Sequence, residues 1–143
     1  MTVILQATTV IDRSLAKVFH FYAEEHVRNH PRWDPDIELW PITEGPLRVG
    51  SLIGRRNSRS GTPVEGTMEV VEFIPNQALG MLIHDGPVEM RGRTTFEALS
   101  DGGTSITVFV EIPGMDDAMD TSFLTSRLQR SGKNFKQLME AEI

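Results

Sequence analysis

Most of the chain carries the hydrophobic pattern of β-strands, in which apolar and β-branched residues alternate with polar ones or form short continuous runs. Short segments rich in Gly, Pro, Asn and Asp separate the last five of these stretches. Such residues allow tight reversals, so these strands are predicted to form an antiparallel meander. The predicted strands are 3–11, 37–42, 51–59, 64–74, 78–85, 88–99 and 104–112.

Two further stretches have apolar residues three or four positions apart, which is the spacing of an amphipathic helix. The first helix is predicted at about 13–23 with Asp12 as its N-cap, and the second runs from about Asp120 to Glu142. Between them, Pro31 is expected to end any short helical turn, because proline has no amide hydrogen. The order of strand, helix, insert, strands and helix predicts an α+β fold.

Length and composition indicate one globular domain at 1–143. A chain of 143 residues buries roughly two-thirds of its unfolded surface, which is enough to fold without disulfides or a structural metal. The sequence has no cysteine, which excludes a thiol nucleophile and fits a cytoplasmic protein. We expect no cofactor and no metal, and the choice between monomer and homodimer stays open.

Charge and hydropathy narrow the range of partners. The formal net charge is −6 and the longest basic run is Arg55-Arg56, which argues against a nucleic-acid partner. No apolar stretch approaches the roughly 18 residues that a membrane span needs. The N-terminus lacks the basic region of a signal peptide and is predicted to be a strand.

Four local motifs occur in an order that resembles the START-like (SRPBCC) superfamily, also called the helix-grip fold. Members include polyketide cyclase/dehydrase-like proteins and pollen-allergen-like proteins. The motifs are IDRSLAKVF at 11–19, PRWDP at 31–35, GTSIT at 103–107 and FKQLME at 135–140. The resemblance covers nearly the whole chain.

The resemblance implies a curved antiparallel sheet of six to seven strands around a long C-terminal helix, with one or two short N-terminal helices. It also implies a cavity between the sheet and that helix, which family members usually fill with a lipid-like, aromatic or polyketide-like ligand. The superfamily shares no universal catalytic residues, so the resemblance implies no particular reaction. The last helix is a little short for the family, which implies a small or open-ended cavity.

Candidate cavity residues lie on the last helix, in the insert and on one face of the sheet. Gly132 interrupts the apolar stripe of the last helix at a cost of about 1 kcal/mol relative to Ala. It therefore either leaves room for a ligand or permits a close contact between helix and sheet. Trp33 either stacks on a flat ligand or fills the core. The predicted apolar lining is Trp33, Met68, Met90, Phe96 and Leu128.

Arginines and histidines are the candidate polar groups. Successive side chains on a strand face opposite ways, so either Arg55 or Arg56 faces the cavity, and Arg56 is taken as the ligand-binding candidate. Such an arginine could anchor a carboxylate or an enolate, or pair with an acid on the outer face. His84 is the candidate acid or base, or else a hydrated residue at a hairpin end. His26 and His30 are interpreted as surface residues.

Three functions are compatible with these residues. The leading hypothesis is a cavity that binds a small, largely apolar or aromatic molecule. The alternative is a cofactor-free cyclase/aromatase or dehydratase, which requires a buried, partnered ionisable group in the cavity. A third is a protein-interaction module, which predicts a filled core without a cavity, an exposed apolar patch of roughly several hundred Å² and close packing at Ser131-Gly132.

Overall fold

The computed structural model describes residues 2–58, 61–113 and 122–142. This part of the chain contains seven strands, three α-helices and a π-helical turn at His20–Glu24. The strands are β1 Thr2–Ile11, β2 Ile37–Pro41, β3 Leu52–Asn57, β4 Val64–Ile74, β5 Ala78–Asp85, β6 Val88–Ala98 and β7 Thr104–Pro113. The helices are α1 Leu15–Phe19, α2 His26–Trp33 and α3 Ser122–Glu142.

The seven strands form one antiparallel sheet in the order β1-β7-β6-β5-β4-β3-β2. Strands β2 to β7 each pair with their neighbours in sequence, as a meander does, while β1 pairs with the last strand. Helix α3 packs against β1 and α2, and α2 also packs against β2. The predicted α+β helix-grip fold, with its curved antiparallel sheet, long C-terminal helix and short N-terminal helices, is confirmed.

Aromatic rings form much of the core between the sheet and α3. Phe135 of α3 is buried, and its ring meets those of Tyr22 and Trp33 edge to face at centroid distances of 5.2 and 4.8 Å. Phe96 of β6 meets Phe19 in the same way at 5.0 Å. Such pairs contribute about 0.5–1.5 kcal/mol beyond the burial of their area. They hold the helices at fixed positions over the sheet.

The helical segment after β1 differs from the predicted helix at 13–23. Helix α1 begins at Leu15, and Ser14 rather than Asp12 occupies the N-cap position. The amide of Asp12 instead donates to Glu140 Oε2 at 2.8 Å. A backbone amide that donates to a side chain of the distant α3 cannot be recognised from the local pattern, which explains the error.

The prediction that Pro31 ends any helical turn is wrong, because α2 continues through it to Trp33. The last turn is held by the amide of Asp34, which donates to the carbonyl oxygen of His30 at 3.1 Å. It is also held by burial of Trp33, whose exposure is 3%. These contacts offset the one backbone hydrogen bond that proline removes.

A bulge settles which residues of β4 face inward. Val70 is buried and Val71 is exposed, and the pairing of β4 with β5 shifts between Val70 and Glu72. Phe73 then packs against the core again. The bulge therefore switches the inward positions of β4 from even-numbered residues such as Val70 to odd-numbered ones such as Phe73. The predicted boundaries at 59 and Asp120 lie outside the described residues.

Candidate functional site

A cavity of about 190 Å³ lies between the inner face of the sheet, α2 and α3. Its wall is mainly apolar, and strands β3 to β7 all contribute to it. The aliphatic residues and methionines that line it are Leu5, Met68, Leu79, Met81, Ile83, Met90, Ile106, Val108, Val110, Ile112, Leu124 and Leu128. The cavity therefore presents the apolar surface that a hydrophobic molecule would contact.

Five of the predicted site residues line this cavity, namely Trp33, Met68, Met90, Leu128 and Gly132. Trp33 is both wall and core, since its ring stacks on Tyr22 at a centroid distance of 5.2 Å. Gly132 is explained by the close contact: a Cβ there would lie 2.5 Å from Thr9 Oγ1 on β1. The glycine thus lets α3 approach β1 closely at a position that also lines the cavity.

Three other predicted residues lie outside the cavity lining. Arg56 faces solvent and donates to Glu38 and Glu65, at 3.2 and 2.9 Å, because it alternates with the inward-facing Arg55. His84 is exposed, and its Nε2 lies 3.4 Å from Glu89 Oε1. It faces outward because it alternates along β5 with Asp85, which is buried. Phe96 is buried in the core against α1.

Arg55 is the arginine that lines the cavity, and it forms a buried ion pair with Asp85. Its Nε donates to Oδ1 at 2.7 Å and its Nη2 donates to Oδ2 at 3.1 Å. Asn57 Nδ2 also donates to Oδ2 of Asp85, at 3.0 Å. Two parallel charge-assisted hydrogen bonds of this kind fix both position and orientation of the guanidinium.

The backbone of the sheet makes room for this pair at Gly66. Gly66 of β4 is aligned with Arg55 on one side and with Asp85 on the other. A Cβ at Gly66 would overlap the backbone carbonyl oxygen of His84. The Arg55 guanidinium therefore reaches the Asp85 carboxylate across Gly66, which has no side chain.

Helix α2 contributes a second set of polar groups to the cavity, His26 and His30, with Asp34 at its end. His26 is buried, and its Nδ1–H donates to the carbonyl oxygen of Tyr22 at 2.8 Å. His30 Nε2 lies 3.7 Å from Asp34 Oδ2. The prediction of two surface histidines is therefore wrong, because α2 turns this face toward the sheet.

The π-helical turn supplies the carbonyl oxygens that hold α2 in place. The carbonyl oxygen of Tyr22 accepts from His26, and that of Phe21 accepts from Asn29 Nδ2 at 3.0 Å. The amide of Glu25 closes the turn on the carbonyl oxygen of His20 at 3.0 Å. Single π-turns occur often at functional sites.

Burial determines the ionisation of His26 and Tyr22. Burial lowers the pKa of His26 well below 6.5, and electrostatic interactions with His30 and Arg55 lower that pKa further, against the opposing effect of the hydrogen bond to the Tyr22 carbonyl. Burial raises the pKa of Tyr22, although its hydroxyl group shares a 2.8 Å hydrogen bond with Thr94. At neutral pH, His26 is therefore a neutral imidazole and Tyr22 a neutral phenol.

Sequence reasoning missed His26, His30 and Asp85 as site residues. One signal was available: His26, His30 and Trp33 are four and three positions apart and so share one face of a helix. Asp85 gave no signal, because its partner Arg55 lies 30 positions away in the sequence.

Within the described residues, no group of three or more His, Cys, Asp or Glu side chains is arranged to hold a metal ion. None of the described helices is long and apolar enough to cross a membrane.

The curved sheet, the long C-terminal helix and the cavity between them define a helix-grip fold, and the resemblance to the START-like superfamily is confirmed at the level of the fold. No family model matches the sequence, and no curated protein matches it. Solved structures do match. Ara h 8.0201 is 16% identical with a TM-score of 0.78, and the match covers 99% of this chain and 100% of that one.

Two further solved structures match this chain. A START superfamily protein from Mycobacterium smegmatis is 13% identical with a TM-score of 0.78, covering 98% of this chain and 99% of that one. DynU16, a protein in the dynemicin biosynthetic locus, is 16% identical with a TM-score of 0.71, covering 96% of this chain and 47% of that one. These identities are low, so the likeness concerns the fold alone.

Proposed function

We propose that the protein binds one small, largely apolar or aromatic molecule in the cavity between the sheet and α3. The observation that carries the proposal is the cavity itself, about 190 Å³ in volume and walled mainly by aliphatic side chains and methionines. An apolar cavity of roughly 150 Å³ holds a benzene molecule. A compound with about one substituted ring therefore fits this space.

The polar groups of the cavity favour a ligand that has one polar end. They are drawn largely from α2 and β3, where His26, His30 and Arg55 reach the cavity. Ligand sites of this kind combine an apolar wall with a few placed polar groups that fix orientation. An aromatic or alicyclic compound with one or two oxygen substituents meets both requirements.

The cavity also separates this proposal from the interaction module. That hypothesis predicted a filled core together with close packing at Ser131-Gly132. Close packing is found at Gly132 against Thr9, yet Ser131 and Leu128 on the same helix line an open space. A cavity bears more directly on the choice between a filled core and a ligand site than packing at one residue does. The cavity therefore supports small-molecule binding.

The first experiment is mass spectrometry of the purified protein under native and then denaturing conditions. A co-purified compound with about one substituted ring is the expected result. In parallel, a Trp40→Phe variant leaves Trp33 as the remaining tryptophan, because the chain has two. Trp33 lines the cavity and Trp40 is exposed on the outer face. Ethyltoluene should then change the fluorescence of Trp33 in a saturable manner.

A control variant locates this signal. Trp33→Phe keeps Trp40, whose fluorescence should not respond to ethyltoluene. The proposal fails if neither a co-purified compound nor saturable binding of ethyltoluene is found.

An enzymatic function is the second candidate, and the buried His26 beside Arg55 favours it. A neutral imidazole could accept a proton from the carbon next to a ketone, while the guanidinium stabilises the enolate oxygen. The proton would move to His26 Nε2 and the C–H electron pair into the enolate. Incubation of indanone with the protein in D₂O tests this. Accelerated exchange of the hydrogens next to the carbonyl, lost in His26→Phe, would support it.

We also infer a cytoplasmic location and no nucleic-acid partner. The cysteine-free sequence and the net charge of −6 support these inferences. Cell fractionation and a nucleic-acid binding assay at low salt would test them.

A further inference from the structure

We propose that the ligand of this cavity is electrically neutral and carries both a hydroxyl donor and an oxygen acceptor, which His26 Nε2 and the Arg55 guanidinium recognise. This inference rests on the proposed binding function and names its ligand class. It follows from the hydrogen-bonding capacity and the charges that the described residues leave available at the cavity wall.

His26 provides the acceptor. Its Nδ1 must carry the hydrogen, because its partner at 2.8 Å is the backbone carbonyl oxygen of Tyr22, which can only accept. In the neutral ring Nε2 is then an acceptor. Among the described residues, no hydrogen bond to Nε2 is found, and the ring lines the cavity. A hydroxyl group of a ligand can donate to this nitrogen.

Arg55 provides the donors. A guanidinium has five N–H groups, and three of those of Arg55 are used: two on Asp85, and one on Met68 Sδ at 3.6 Å. One N–H on each terminal nitrogen is left. Arg55 lines the cavity and is near enough to His26 for its charge to affect that ring. A carbonyl or ether oxygen of the same ligand can accept from it.

The balance of charge excludes an anionic ligand. Arg55 and Arg127 are the arginines that line the cavity within the described residues, and Asp34 lines it as well. Asp85 already neutralises Arg55. His30 lines the cavity as well, with its Nε2 3.7 Å from Asp34 Oδ2, and Arg127 also has a partner, so none of these three basic side chains is left without one. A ligand carboxylate would add an unbalanced charge to a largely apolar space, which is costly. A neutral hydroxy ketone or hydroxy ester avoids that cost.

Three probes of similar size test the inference by titration calorimetry at neutral pH: meta-hydroxyacetophenone, meta-hydroxybenzoate and ethyltoluene. Hydroxyacetophenone should bind best, with an affinity about fivefold or more above that of ethyltoluene. One net hydrogen bond changes an affinity by about this factor. Hydroxybenzoate should bind worst. Equal or tighter binding of ethyltoluene or hydroxybenzoate would overturn the inference but leave cavity binding intact. If none of the three binds, the proposed function fails as well.

A variant and a direct measurement assign the contact to His26. His26→Phe should weaken hydroxyacetophenone about fivefold and leave ethyltoluene unchanged, whereas His84→Gln, outside the cavity, should change neither. Should His26→Phe fail to fold, nitrogen NMR of the histidine rings in the native protein decides. Hydroxyacetophenone should shift the Nε2 signal of His26 and ethyltoluene should not. An unshifted Nε2 signal in the saturated complex would refute the contact.

Discussion

Arg55 of β3 and Asp85 of β5 form a bidentate ion pair across the intervening strand β4, at distances of 2.7 and 3.1 Å. Their side chains are 4% and 8% exposed, so the pair is shielded from solvent. Gly66, aligned with both residues, leaves the line between them free of a side chain. The pair holds the guanidinium at the cavity wall and cancels its charge there.

Breaking this pair should cost much more stability than breaking a surface pair. Arg55→Met leaves Asp85 buried without its cation and should lower the free energy of unfolding by about 3–5 kcal/mol. The matched control is Arg56→Met on the same strand, where the side chain is 40% exposed and pairs with acids at the surface. Its cost should be about 0–1 kcal/mol. Urea unfolding measures both, and equal costs would contradict the assigned role of the buried pair.

Stability should fall on acidification through the titration of His26. The folded protein disfavours the charged ring, so the pKa of His26 lies below the value of 6.5 expected in the unfolded chain. Between these two pKa values the unfolded state binds more protons. The stabilisation is therefore complete above pH 6.5 and is lost as the pH falls toward the folded pKa. The slope should approach about 1.4 kcal/mol per pH unit.

Urea unfolding at a series of pH values checks this prediction. His26→Phe should flatten the slope below pH 6.5, whereas His84→Gln should keep it. The acids Glu72 and Glu140 have lowered pKa values, but they would act only below their ordinary value of 4.5. A slope that is the same with and without His26 would show that another group causes it.

Filling the cavity from α3 should block ligand binding without unfolding the protein. Ser131 lines the cavity, and Ser131→Leu places a good helix former where its side chain enters that space. The affinity for ethyltoluene should fall about tenfold or more, since roughly 1.4 kcal/mol of apolar contact is lost. Lys133→Leu, exposed on the same helix, should leave it unchanged. Titration calorimetry measures both, and unimpaired binding in Ser131→Leu would place the ligand elsewhere.

Gly132 and Thr9 should show strong energetic coupling. Gly132→Ala gains about 1 kcal/mol of helix propensity, yet its new Cβ would lie 2.5 Å from Thr9 Oγ1. The single variant should therefore be destabilised, and the same change in a Thr9→Ala background should be stabilising. A double-mutant cycle from thermal unfolding gives the coupling. Additive effects would mean that the glycine has no role in the contact of α3 with β1.

Much of the fold could be predicted because strand patterns and turn residues act locally. The bounds of β4 and β5, 64–74 and 78–85, agree with the structure, since Gly, Pro and Asn mark each reversal. The π-helical turn and the continuation of α2 through Pro31 could not be predicted. They depend on side chains such as His26 and Asn29 that bind carbonyl oxygens of the preceding turn.

By itself, the sequence determined the α+β order, favoured inward positions for Met90 and Leu128, and excluded cysteine chemistry. The tertiary structure alone decided the polar part of the cavity. Alternation along β3 showed that one of two adjacent arginines faces inward, but the position of Asp85 selects Arg55. Likewise, the packing of α2 buries His26. Both outcomes depend on residues that are distant in sequence and meet only when the sheet and helices close around the cavity.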